Sequence, residues 1–262
     1  MAQYRIDQQA YLPNGTTIFE VVMLADKDGN ILNTAGSASN IPIAAGLVDG
    51  YGHINKFGYT GTDINGTCTI WDLNGTTALY PYPSAGVAAA TGANTINDGD
   101  TVEIQGLDAS YNPQTVNITV GGSASTETFS RIFRARMANT TNQTAVTVTQ
   151  GGTAAAQIRA DNGQTLMSVY TVPAGKTGYF VKFIGTMDKS NAPVKFKIFA
   201  RPPGGTFNLK GQFGSQGGNP ITYDYPVPLK FDEKTDIKVD VETAGSVGVG
   251  ATFDLILVDN PA

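Results

Sequence analysis

The sequence predicts an all-β chain of two antiparallel β-sandwich, jelly-roll-like domains behind an N-terminal arm or hairpin. Three observations lead there. Apolar residues alternate with polar ones in many short windows; 31 glycines and 13 prolines punctuate the whole length, with Thr and Asn between them; and no window of helical length keeps apolar residues on one helical face. With 262 residues, 41% hydrophobic and only 15% charged, the chain is long enough for two domains and apolar enough to give each a core.

Residues 1–50 read as the arm: a polar lead, a strand over 16–25 (TTIFEVVMLA), a turn at Lys27-Asp28-Gly29-Asn30 and a run of small residues. A lone hairpin is marginal in water, so this segment must lie against the rest of the chain or a neighbouring subunit. Residues 51–155 read as the first sandwich, with strands over 53–59, 67–72, 101–107, 115–120 and 128–137. Val102 and Ile104 alternate with Glu103 and Gln105, and Val116, Ile118 and Val120 with Thr115, Asn117 and Thr119. The turn-forming Asp108-Ala109-Ser110-Tyr111-Asn112-Pro113 between them predicts an antiparallel hairpin.

Around 138–165 Thr, Asn, Gly and Ala dilute the apolar signal, and the boundary between domains is expected there. Residues 156–262 read as the second sandwich, with strands over 166–172, 177–187, 194–201, 207–213, 221–225, 236–242 and 251–258. The Ala run at 87–90 is the nearest rival to a helix, and it is short.

Composition excludes several functions. The net charge of -5 repels a phosphate backbone, so nucleic acid is not an expected partner. Cys68 is the only cysteine, which rules out an intrachain disulfide and suits assembly in a reducing cytoplasm. The N-terminal residues carry no apolar run of a signal peptide and no stretch is long and apolar enough for a membrane helix, so no membrane partner is expected. Of the Asn-x-Thr sequons, those at Asn14, Asn65 and Asn74 are Asn-Gly-Thr and read as turns rather than glycan sites.

Catalytic patterns fail at named positions. His53 is the sole histidine and has no nucleophile motif beside it. Gly175-Lys176-Thr177 ends like a phosphate loop, but Tyr170 stands where the leading glycine belongs and a strand follows, so Pro173-Ala174-Gly175-Lys176 reads as a hairpin turn. The glycines at 245, 248 and 250 lack dinucleotide spacing and read as loop. The acids at Asp26/Asp28, Asp98/Asp100 and Asp232/Glu233/Asp236 read as turn acids, with a calcium shared between subunits as the alternative. No cofactor, metal or catalytic residue is expected.

Two candidate surfaces remain. Arg131, Arg134 and Arg136 share one strand, the last two on one face; with Tyr4 and Arg5 of the arm they form the candidate interface, since paired arginines anchor acidic surfaces well. Trp71 with Tyr80 and Tyr82 is a candidate glycan-stacking platform, although a single tryptophan in an apolar run more often belongs to a core.

Five segments, GYGHINKFG at 50–58, IQGLD at 104–108, TFSRIFRAR at 128–136, YTVPAGKT at 170–177 and VPLKFDEKTD at 227–236, together resemble a family of tailed-bacteriophage virion structural proteins, especially those of marine cyanophages. The resemblance spans most of residues 45–260 and implies a virion location without fixing a role. The expected function is therefore non-enzymatic: a capsid decoration or cement protein, homo-oligomeric and most simply a trimer, bound to the major capsid protein or other virion proteins. A neck, tail or fibre-attachment adaptor is the alternative; a host-glycan-binding module and an unrecognised glycosidase stand behind it.

Overall fold

The computed structural model describes residues 4–11, 17–25, 31–32, 40–73, 85–92, 99–189 and 192–261. The chain is all-β and divides into two compact units, residues 1–52 and 53–262. In the first unit β1 (Tyr4–Tyr11), β2 (Thr17–Ala25) and β3 (Ile31–Leu32) form an antiparallel sheet in that order, followed by a short helix, α1 (Asn40–Ala44). The expected polar lead is thus a strand. Its ladder runs from Tyr4 opposite Ala25 to Tyr11 opposite Thr17, and the β-prone TIFEVVMLA partner lets a weakly patterned YRIDQQAY pair along its length.

In chain order the second unit contains β4 (Tyr51–Tyr59, from His53 onward), β5 (Ile64–Thr69), β6 (Gly86–Gly92), β7 (Thr101–Leu107), β8 (Pro113–Thr119), β9 (Thr128–Phe129), β10 (Arg131–Met137), β11 (Val146–Gln150) and β12 (Thr153–Ile158). It continues with β13 (Val169–Thr171), β14 (Lys176–Met187), β15 (Val194–Arg201), β16 (Asn208–Ser215), β17 (Ile221–Phe231), β18 (Asp236–Val247) and β19 (Val249–Asp259). Every described pairing is antiparallel.

The sheets β10-β7-β8 and β12-β11-β6-β9 enclose one buried cluster, in which Val102, Ile104, Ile132 and Ala135 meet Ala88, Val146, Val148 and Ile158. The sheets β13-β18-β15-β16, with β5 also on β18, and β17-β14-β19-β4 enclose the other. There Phe183 of β14 and Phe196 of β15 meet edge-on with centroids 5.6 Å apart, while Phe180 stacks on Phe253 at 5.1 Å. All four rings are fully buried, each worth about 1.5–3 kcal/mol of apolar transfer. The clusters interleave in sequence: Ile64 and Ile70 belong to the second, Met167 and Val169 to the first.

Several expectations need correction. β11 and β12 lie inside the segment read as a boundary, and β6 is the Ala run weighed as a helix. In β6 and β12 the buried side chains include Ala88, Ala90, Ala155 and Ala156, too small to raise an apolar periodicity, whereas β11 alternates buried Val146 and Val148 with Thr147 and Thr149 within an otherwise polar stretch. The single strand expected over 128–137 is two. Ser130 is the corner between them, its hydroxyl donating to the Asp108 carbonyl at 2.5 Å, and β9 pairs with β6 while β10 pairs with β7.

The turn at Gly175 is not a hairpin, because β13 and β14 belong to different sheets and the chain crosses the sandwich there. Gly248 makes a second crossing, between β18 and β19, rather than lying in an open loop. Asn65-Gly66-Thr67 is not a turn either: Gly66, at φ 124°, sits in β5 where its register with β18 slips. Asn14 and Asn74 lie outside the described residues.

The β7–β8 hairpin forms as expected, from Thr101 opposite Thr119 to Leu107 opposite Pro113. Asp108 closes it, its Oδ1 accepting the amides of Ser110 and Asn112 at 2.8 Å each. The Asn112 amide and side chain, with the Ser110 amide, hold its carboxyl below the usual aspartate range.

Candidate functional site

Strand β10 carries the three arginines, and a bulge at Phe133 decides where they point. The register passes from Ile132 opposite Gly106 to Arg134 opposite Gln105, so the extra residue lets Ile132, Ala135 and Met137 all face the core. Arg134 and Arg136 then lie outward, opposite Gln105 and Glu103.

Each arginine meets a different environment. Arg131 forks onto Asp236 of β18, with Nε to Oδ1 at 2.8 Å and Nη2 to Oδ2 at 3.2 Å, and its guanidinium lies 5.3 Å from the Tyr111 ring centroid. Arg201 of β15 reaches the other side of the same carboxylate, Nη2 to Oδ2 at 2.6 Å, and Thr171 of β13 donates to Oδ1 at 2.7 Å. Asp236 is 3% exposed, so one buried carboxylate ties four strands, β10, β13, β15 and β18, drawn from both clusters. Arg136, half-exposed, forms a fork with Glu103 across the β10–β7 pair at 2.8 Å for both bonds. Arg134 donates to the Asn55 carbonyl at 2.8 Å.

The arginines are therefore engaged within the chain to different degrees, Arg131 most. Tyr4 and Arg5 pair by backbone in β1, opposite Ala25 and Leu24. Trp71 is 1% exposed inside the first cluster and presents no ring face to a sugar, while Tyr80 and Tyr82 lie outside the described residues. His53 shares Asp254 with Asn55, at 3.3 and 2.7 Å respectively. Among the described residues no group of three or more His, Cys, Asp or Glu side chains converges as a metal site would. Glu233 serves the turn at Gly175, accepting its amide at 2.6 Å.

The exposed surface that the sequence reading missed lies on β16 and β17, each the last strand of its sheet. Leu209, Tyr223 and Val227 are 50%, 42% and 80% exposed there. Three of the six exposed large apolar side chains among the described residues thus share two facing edges, joined by the contact of Phe213 with Tyr223 at 5.2 Å. β17 also bulges: Leu229 pairs with Phe180 and Asp224 with Lys182, so Tyr225-Pro226-Val227-Pro228 bows out of the ladder with Val227 at its centre. The two prolines remove amides that an edge would otherwise offer to any strand, leaving side chains as the means of contact. The sequence signal was present in YPVP, where proline flanks an apolar residue in a strand pattern.

Asp72 is a second group the sequence left unmarked. Its side chain is fully enclosed and accepts from Arg159 Nε at 2.9 Å and the Leu166 amide at 2.5 Å. Burial pushes its carboxyl up to about 7 against the opposing pull of Leu166 and Arg159. The fold thus holds this proton more tightly than the unfolded chain, so its contribution to stability is complete below the ordinary value of 3.8 and is withdrawn as pH rises through about 7. The urea midpoint should fall between about pH 4 and about pH 7 and level off above, and Asp72→Asn should flatten that slope; equal slopes in both proteins would assign it to other groups.

No protein-family model and no curated protein matches the chain. Two solved structures of infectious bursal disease virus, from the Gt and Gx strains, are similar to it at 9% identity. They cover 81% and 82% of this chain and 74% and 78% of their own, each with a TM-score of 0.20, an overlap too slight to bear on fold or role.

Proposed function

We propose that the chain is a non-enzymatic virion structural protein, specifically a capsid decoration protein that binds the outer face of a tailed-phage shell and stabilises it, acting as a homo-oligomer with a trimer as the simplest state. The apolar side chains on the edges of β16 and β17 carry this reading. Leu209, Tyr223 and Val227 contribute little to the core, and a proline-guarded edge that blocks indiscriminate strand pairing yet offers apolar side chains suits a defined protein partner. The family resemblance of the segments around Gly52, Gly106, Arg131, Gly175 and Phe231 supplies the virion context. The enclosed Trp71 lends nothing to a sugar-stacking alternative.

The test is reconstitution. Purified chain added to shells lacking it should co-sediment with them and raise their melting temperature. Val227→Asp should weaken that binding about tenfold or more, as loss of an apolar anchor does, without moving the urea midpoint of the free protein. Failure of the unaltered chain to bind any shell, or undiminished binding by Val227→Asp, would count against the surface. A neck or tail adaptor is the second reading, and it predicts binding to isolated tails instead.

A further inference from the structure

A cavity of about 380 Å³ opens between β4, β7 and β10, lined by Lys56, Arg134, Gln105, Gln164, Tyr170 and His53 among others. Lys56 is 3% exposed and Arg134 is half-buried, and neither contacts a carboxylate among the described residues. Each donates to one backbone carbonyl, Lys56 to Phe133 and Arg134 to Asn55. An ammonium has three N–H donors and a guanidinium five, so among the described residues most of these donors have no protein oxygen to meet, the Lys56 ammonium lying besides only over the Phe133 ring, 5.7 Å from its centroid. The nearby acids are committed elsewhere: Glu103 to Arg136 and Gln105, Asp254 to His53 and Asn55.

An enclosed ammonium beside a half-buried guanidinium, with no carboxylate among the described residues touching either and only Glu103 attracting Arg134 from beyond contact, carries a desolvation cost and a mutual repulsion. We propose that this cavity binds a small oxyanion of the carboxylate or phosphate class, held by Lys56 and Arg134. Gln164 and Tyr170 also line it, and their side chains carry an amide and a hydroxyl as neutral donors. Burial pushes the Tyr170 hydroxyl up, which keeps its proton in place. Burial, with Arg134 adding repulsion, pushes the Lys56 ammonium well below its ordinary value, and a bound anion offsets both by attracting the charged form. Each water takes about 30 Å³ of liquid volume, so the cavity has room for such an anion with several waters.

Thermal melting and calorimetry of the intact chain with sodium phosphate, sulfate or acetate, against chloride at equal ionic strength, test this. At least one oxyanion should give a saturable rise in melting temperature that chloride does not. Arg134→Gln should weaken that binding about thirtyfold, the low end of what loss of one member of a buried charge pair costs. Lys230→Gln, a substitution on distant β17, should leave it unchanged and serves as the control. Phosphate and sulfate acting without acetate would assign a tetrahedral ligand, and acetate alone a carboxylate. No rise beyond chloride with any of the three, or an undiminished titration in Arg134→Gln, would overturn the proposal. Lys56→Gln supplies a second variant for the same comparison.

Discussion

Asp236→Ala should lower the unfolding free energy by about 3–5 kcal/mol, because it removes the carboxylate that two largely buried guanidinium groups share and leaves their charges uncompensated. The side chains of Arg131 and Arg201 are only 13% and 18% exposed, and that of Asp236 4%, so water screens the interaction little. Against a typical total stability of about 5–15 kcal/mol the loss is large. Urea denaturation at neutral pH measures it. Arg201→Met should cost less, since Arg131 and Thr171 still satisfy the carboxylate, and a double-mutant cycle over Asp236 and Arg201 isolates the coupling. A loss under about 1 kcal/mol for Asp236→Ala, the size of a surface pair, would show that the four strands do not depend on this carboxylate.

Gly106→Ala should be as damaging for a different reason. A Cβ at this buried position of β7 would lie 2.0 Å from the Arg131 carbonyl oxygen and 2.7 Å from the Phe129 ring. The first obstacle is backbone and cannot rotate away, so β7 and β10 must separate. Inserting a methyl into such a site costs about 3 kcal/mol or more, and here it also disturbs the corner at Ser130 where the chain changes sheets. Gly214 is the matched control: it is exposed on β16, a Cβ there meets nothing within 4 Å, and Gly214→Ala should be neutral or slightly stabilising, by about 0.5 kcal/mol. Equal urea midpoints for the two variants would contradict the close approach at Gly106.

Most strands were legible wherever large apolar residues alternate with polar ones. β7 and β15 match their expected bounds, and the Asp108 turn could be read residue by residue. The alanine-lined strands β6 and β12 were not legible, because alanine has no marked preference for either face until a partner encloses it, whereas β11 alternates buried Val146 and Val148 with Thr147 and Thr149 and was readable despite the Gly- and Asn-rich residues around it. The corners at Ser130, Gly175 and Gly248 were invisible for another reason. A strand that changes sheets keeps its alternation, so sequence shows one strand or a hairpin where the structure makes a crossing.

The sites divide the same way. The arginines of β10 could be found, but their roles depend on the bulge at Phe133 and on Asp236, which lies 105 residues away from Arg131 in sequence. Lys56 looked like an ordinary charge in GYGHINKFG; only its enclosure beside Arg134 sets it apart. The exposed Val227 was readable in principle, since a valine between two prolines has neither a ladder to complete nor a core to reach.

Location on the particle tests the central reading most directly. A reconstruction of the intact virion at a resolution that traces β-sheets should place this chain over the outer surface of the shell, in copy number comparable with the major capsid protein. The edge of β16 and β17 carrying Leu209, Tyr223 and Val227 should lie at a contact between subunits. Copies confined to the tail vertex would contradict decoration and favour the adaptor, and absence of the chain from the particle would contradict the virion role altogether.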